Sequence, residues 1–406
     1  MGVAAKAASS SGTGINIPSW AQLLEPYNAS SSHMLPVVRR LATLSQTVLR
    51  ERLTSPIKML PSTSVNRLST SVIIATYRRA GRLEHCLKSL ALQITLPDEV
   101  IVVWQGDDVE TSQIAEQLAV VAPFRLKTVH QPVPGIVPAE NAGLCAAGGE
   151  IILLIDDDAV AHPDWVRRHL VHYEDPLVGA VGGPYQNFES DGSSTKTLAP
   201  RRIGKLTWFG QFHGNMSDHP LEWRTRRPVV VNHLIGGNMS LRRSSFEKFE
   251  AAMKPYWELF EAEACLQVAR RGFRVLFDSG NPINHYPVHR ATIPERLTDH
   301  YRVFNLAYNH AFILSKHSPS WLRAPRLLYL ILVGSATRPG FLGFVVAWCR
   351  SGDLPKQLRA LRESLRWHLR GWRDGSTRRD LYVTARIIGA DGTSQGVTAQ
   401  GATEQR

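Results

Sequence analysis

No apolar run in this chain is long and unbroken enough to span a bilayer. The nearest, Leu327 to Trp348, is cut by Thr337-Arg338-Pro339-Gly340, a break that predicts two short apolar helices. Cysteine is equally scarce. The four present (Cys86, Cys145, Cys265 and Cys349) lie far apart and form no CxxC pair, which argues against a zinc site and a disulfide framework. The opening residues MGVAAKAASSSGTGINIPSW lack the continuous apolar core of a secretory signal. Lys6 stands where myristoylation at Gly2 needs Ser or Thr. A reducing cytosol is therefore the expected compartment. Acidic residues are the minority charge, 35 against 47 basic ones, for a formal +12 over 406 residues. That excess points to an acidic partner: nucleic acid, anionic lipid or a phosphorylated substrate.

A hydrophobic fraction of 43% is ample for a sizeable core. Residues 1 to about 33 are rich in Ala, Ser and Gly and predict disorder. Between Leu35 and Leu53, apolar residues recur at helical spacing with arginines between them, which predicts an amphipathic helix. A Pro/Ser/Thr-rich linker closes this first region, residues 1–69. From residue 70 strands and helices alternate. Strands are predicted at Ser71–Ala75, Glu99–Val103, Phe124–Val129, Ile151–Ile155, Val178–Val181 and Val275–Phe277. Helices are predicted around Leu83–Leu90, at Ala139–Ala147 (opened by Pro138), and at His162–Tyr173, Ser244–Phe249 and Phe260–Arg271. Such alternation argues for βαβ units in a mostly parallel sheet. Residues 70–290 form this domain, with loops and short strands expected from Gln186 to about Pro228. A basic helical region follows at 291–388, and 389–406 reads as a disordered tail.

The run Ile151-Ile152-Leu153-Leu154-Ile155 predicts a strand buried on both faces, and Asp156-Asp157-Asp158 follows directly at its carboxyl end. Open α/β sheets bind ligands at that edge. Alternation along an extended chain lets Asp156 and Asp158 point the same way. A divalent cation would relieve their repulsion, and oxygen ligands suit a hard ion such as Mg2+ or Mn2+. A solvated acidic turn ending a core strand explains the triplet, taken alone, equally well.

Several segments in one order extend the pattern. SVIIATYRRAGRLEHCLKSL, EVIVVWQGDD and PAENAGLCAAGGEIILLIDDDAVAHPDW resemble the nucleotide-sugar half of a family 2 glycosyltransferase with the GT-A fold. IGGNMSLRRSSF and FEAEACLQVARRGFRVLFDSGNPINHYP resemble the acceptor half of the same family, so the likeness covers roughly residues 70 to 290. The resemblance implies an α/β fold of GT-A type, a mostly parallel central sheet flanked by helices with helical N- and C-terminal extensions. It also implies an inverting, metal-dependent transfer from a nucleoside diphosphate sugar to a sugar or lipid-linked acceptor. Asp156, Asp158 and His285 become the metal-side residues, with Asp157 nearer the ribose. Thr76 and Tyr77 lie in the loop that would hold the base and ribose, and Gly237 and Asn238 in the segment under the donor sugar. Asn141 is placed to steady a loop or the diphosphate, while Glu140, where the family often has a basic residue, reads as a solvated helix charge. Trp104 occupies the position where the family usually has a base-binding acid. Asp107 either replaces that acid or caps the next helix. Glu261 is the expected general base, with Glu258 and Glu263 as rivals; partial burial beside Phe260 and Trp257 would bring its proton affinity towards neutrality.

Two further readings concern the positive charge. The broken apolar segment and the Lys356–Arg373 stretch, with Leu358, Leu361, Leu365 and Leu369 on one helical face, suit either an anionic membrane surface or a helical cap packed on the domain. A nucleic-acid-binding protein and a nucleotidyltransferase are the alternatives of other classes. The basic residues form no recognisable reader motif, and no Gly-rich loop with a phosphate-binding Lys is evident, so no nucleic acid is expected as a partner.

Overall fold

The computed structural model describes residues 67–188, 202–253, 259–287, 299–335 and 337–379. The expected helix at 35–53, both terminal tails, and Trp257 and Glu258 lie outside them. The strands are β1 (Thr70–Thr76), β2 (Glu99–Gln105), β3 (Arg125–Gln131), β4 (Ile151–Ile155), β5 (Ala159–Ala161), β6 (Val178–Gly182), β7 (Tyr185–Asn187), β8 (Lys205–Leu206), β9 (Phe212–His213), β10 (Val229–Val230), β11 (Asn238–Arg242), β12 (Arg274–Phe277) and β13 (Ile283–His285). Helices among these strands are α1 (Ala80–Ala91), α2 (Val109–Ala119), α3 (Ile136–Ala146), α4 (Trp165–Leu170) and α5 (Phe260–Arg270).

Eight strands make one sheet in the order β10-β12-β6-β11-β4-β1-β2-β3. Strands β4, β1, β2 and β3 are parallel, as are β12 and β6. Only β11, antiparallel to β4 and β6, and the edge strand β10 run against them. The sheet is therefore mostly parallel, with helices flanking it. Every residue of β4 is buried, which is why that strand is aliphatic throughout. On α1, Leu83, Cys86, Leu87 and Leu90 are wholly buried, so the helical spacing identified the core-facing side. Pairing of Ile73 with Leu154 and of Thr76 with Trp104 brings the carboxyl ends of β1, β2 and β4 to one edge.

Four helices follow: α6 (Asp299–His317), α7 (Ser320–Leu332), α8 (Phe341–Ser351) and α9 (Leu354–Ser376). The Thr337–Gly340 break thus separates two short helices, as expected. Helix α9 packs on α6 almost backbone to backbone. A side chain at Gly371 would meet the Tyr308 carbonyl oxygen at 2.2 Å, and one at Gly375 the Phe312 oxygen at 2.3 Å. A buried ionic network ties α6 to α5. Lys316 Nζ donates to Glu263 at 2.7 Å and to Glu250 at 2.8 Å, and Arg378 reaches Glu250 at 2.7 Å.

Two local expectations are not met. At Ser244–Phe249 only a three-residue turn forms, Arg243–Ser245, because Phe246 and Phe249 are buried and the Phe249 amide donates to Asn141. The expected helix at His162–Tyr173 shortens to α4, with Val171–Glu174 as one tighter turn. On α9, Leu361 is buried while Leu358 and Leu369 are exposed, so the leucine-bearing face lies only partly against the protein.

Candidate active site

The chain leaves β4 directly into the aspartate triplet. Asp157 and Asp158 are buried and share one cation: Arg79 Nη1 donates to Asp157 Oδ1 at 2.8 Å and to Asp158 Oδ2 at 3.0 Å. Asp156 has a different setting. Its bonded partner is the Tyr185 hydroxyl, which donates to Oδ2 at 2.6 Å, and no ion pair involving it occurs among the described residues. Burial and the neighbouring Asp158 charge raise its carboxyl above the usual range. Buried Glu99 has the opposite setting. Glu99 meets Lys127 at 2.8 Å and Arg125 at 3.1 Å, and Lys127, with hydrogen bonds from Ser71 and Gly148, outweighs burial to hold it at about 2.

A small sheet brings His285 to the triplet. Strand β13 lies between β5, which follows the triplet, and β7, which starts at Tyr185. His285 ends β13, with Nδ1 2.8 Å from Asn187 Oδ1 and Nε2 3.2 Å from Asp158 Oδ1. Burial alone would lower its pKa, but the Asp158 carboxylate more than offsets that and raises it. One ligand atom each from Asp156, Asp158 and His285 lies within 4.8 Å of the others. Two carboxylates and an imidazole at that spacing, one carboxylate with no counter-cation, fit a divalent ion.

Register explains what lies over this cluster. Asn238 pairs with Ile155 in the antiparallel β11, so Gly237 falls beside Asp156. A side chain at Gly237 would come within 2.1 Å of the Tyr185 oxygen and 2.2 Å of the Asp156 carboxyl. One at Gly236 would lie 3.2 Å from Phe260 and 3.8 Å from the Glu261 carboxyl carbon. The glycine pair thus bridges the metal-side residues and Glu261. Gly237→Ala is expected to displace the Asp156 carboxylate and lower turnover on the order of 100-fold, since misplacement of about an ångström costs that much. Steady-state kinetics with a thermal melt would check this, and wild-type turnover would contradict it.

Glu261 is half-buried in the first turn of α5, where the helix dipole favours its ionised form. Leu259 before it has a left-handed backbone, φ 76°, a conformation costing about 1–2 kcal/mol for a residue with a side chain. Of its rivals, Glu263 is excluded. It is wholly buried and bonded to Lys316, His317 and Gln267, which outweigh burial and hold it at about 2. Glu140 is not the solvated charge that the sequence suggested. It is buried and its Oε2 has no hydrogen-bond partner. Burial first, then the charges of Asp156 and Glu261, push its carboxyl well above the ordinary range.

The remaining residues divide. Thr76 is buried at the end of β1, while Tyr77, half-buried, has its ring against Gly106 and Pro134. Asp107 does not cap α2; Asp108 does, accepting from the Thr111 amide at 3.3 Å, and Asp107 forms an exposed pair with Arg78 at 2.9 Å. In place of an acid, Trp104 stacks on His130 with centroids 3.9 Å apart. Two residues do not reach the cluster. Asn141 spends its amide on the Phe249 backbone, donating to the oxygen and accepting from the N–H, both at 2.9 Å. Asn238 is fully buried, donating to the Pro184 and Asn281 oxygens and accepting from Trp165 Nε1. Arg79 and Tyr185 were missed by sequence reasoning. Arg79 lay in sight beside Tyr77, but nothing local distinguished it from an ordinary turn residue. Tyr185 is brought in by β7 pairing with β13, which no local pattern reveals.

Residues 71–249 match the model of the family described as Glycosyl transferase family 2. Glycosyltransferase EpsH of Bacillus subtilis is 33% identical over 233 residues, 56% of this chain and 63% of EpsH, so the chain spans under two thirds of that relative. The glucosyl-dolichyl phosphate glucuronosyltransferase of Haloferax volcanii is 28% identical over 238 residues, 54% of this chain and 69% of that protein. Among solved structures, the mannosyltransferase PcManGT from Pyrobaculum calidifontis in complex with GDP-Man and Mn2+ aligns with 91% of this chain and 97% of its own, at 17% identity and a TM-score of 0.45.

Proposed function

We propose that the chain acts as a family 2 glycosyltransferase, the reading supported by the match over residues 71–249, and that it moves a sugar from a nucleoside diphosphate to an acceptor hydroxyl with inversion at the anomeric carbon. The observation that carries the reading is the continuity of Asp156, Gly237, Gly236 and Glu261 along one edge of the sheet. Asp156, Asp158 and His285 would hold Mg2+ or Mn2+, and that ion, when bound, neutralises charge on the leaving diphosphate. Arg79 balances Asp157 and Asp158, offsetting part of the cost of burying them. Tyr185 fixes the Asp156 carboxylate by its short hydrogen bond. The glycine pair allows the backbone, and with it a donor sugar, to lie close to both ends of the site. Glu261 takes the acceptor's proton as its oxygen attacks. Direct displacement needs no enzyme nucleophile.

Near the base, Tyr77 and the Trp104–His130 stack offer apolar faces, with Asp107 and Arg78 at the rim. A lipid-linked acceptor is supported by the Haloferax volcanii relative, whose name specifies a glucosyl-dolichyl phosphate. The setting would be synthesis of a polysaccharide, glycolipid or cell-envelope glycan. The test is product stereochemistry: the chain, supplied with Mn2+, a panel of nucleoside diphosphate sugars and simple acceptors, should give a product of opposite anomeric configuration by NMR. Retained configuration, or no transfer or hydrolysis with any donor, would refute the reading.

A further inference from the structure

Charge along this chain is concentrated at one end. Between Asp299 and Arg379 stand fourteen Lys and Arg against four Asp and Glu, a surplus of ten out of the whole chain's +12. The same region holds the largest exposed apolar surface among the described helices. Helix α8 buries none of its residues, and Leu342 (61% exposed), Val346 (50%), Phe341 and Val345 all face solvent. On α7, Trp321 (71%) and Leu328 (55%) are exposed in the same way. Neither helix contains an acidic residue. At about 100° per residue, Leu358, Leu365 and Leu369 of α9 form a stripe, and Arg362, Arg366 and Arg373 form the stripe directly beside it. The opposite side of α9, with Leu361, Ser364, His368, Gly371 and Gly375, is buried. The arginine stripe is therefore not needed to hold the helix in place.

We propose that α7, α8 and the outward side of α9 form a docking surface for an anionic lipid bilayer. Exposed apolar patches of this kind, rimmed by charge, mark interaction sites. A bilayer interface matches both halves of the chemistry: aliphatic and Trp side chains enter the headgroup boundary while arginines meet phosphates. Helix α8 has eleven residues, about 16 Å of helix, too short to cross the hydrocarbon core. No helix among the described residues is long and apolar enough to do so. The chain lies on the surface. A nucleic acid would use the arginines but leave Leu342 and Val346 in water, and a second copy would bring a second set of like charges to the contact.

Flotation of the full chain with vesicles tests this. Vesicles of phosphatidylcholine and phosphatidylglycerol should carry the protein upward, those of phosphatidylcholine alone should not, and added salt should release it. Arg362→Glu/Arg366→Glu and Leu342→Asp/Val346→Asp should each weaken binding on the order of tenfold or more, since each cation at the surface contributes about fivefold. All four residues are outside the catalytic edge, so nucleotide-sugar turnover in solution should be kept. Absence of flotation with anionic vesicles at physiological salt would overturn the proposal, as would equal binding to neutral ones. So would a dimer dissolved by Leu342→Asp/Val346→Asp, or oligonucleotide binding without flotation. If a variant fails to fold, the wild-type comparison between vesicle types and its salt dependence still decides the matter.

Discussion

Glu261→Gln is expected to lower turnover by about 10²–10⁴-fold, the usual contribution of a positioned general base, with nucleotide-sugar affinity little changed. The substitution keeps size and most hydrogen bonding but removes the proton acceptor. The expected split, turnover lost and binding kept, follows from where Glu261 sits: at the Gly236 end of the edge, away from the metal-side cluster at Gly237. Glu263→Gln is the informative comparison. It would leave Lys316 short of a partner in a buried network and weaken the fold before the chemistry. Near-normal turnover in Glu261→Gln would remove the base from the account.

Removing metal should have the other large effect. Chelation is expected to abolish turnover, and Mn2+ or Mg2+ to restore it. Asp156→Asn should raise the Mn2+ concentration needed by at least about 100-fold, because loss even of groups that merely support a metal ligand costs 10–100-fold. Asp156 is a cleaner test than Asp158. Asp158 also pairs with Arg79 and His285, so its replacement would disturb both of those contacts as well. Asp156 has no such role, and its amide would still accept from Tyr185. Unchanged metal dependence in Asp156→Asn would exclude it as a ligand.

Much of the sheet was legible because the central parallel strands bury both faces and therefore read as apolar runs. Ile151–Ile155 is the clearest case, and the triplet's position followed from it. The site was legible only in part. Asn141 and Asn238 sit in segments that resemble the family's, yet hydrogen bonds from distant backbone consume both amides. Glu140 looked solvated because helical spacing shows which side a residue is on, not what covers that side. Arg79 and Tyr185 reach the aspartates across contacts that join elements far apart in the chain. The helix expected at Ser244–Phe249 failed for a related reason, a tertiary bond from Asn141 overriding local preference.

The most direct measurement of the central claim is calorimetric titration of a nucleoside diphosphate into wild-type protein and Asp156→Asn, each with and without Mn2+. A cation held at the sheet edge predicts tight binding in one condition alone, wild type with Mn2+, and weak, similar binding in the other three. Equal affinity with and without Mn2+ in the wild type would contradict it.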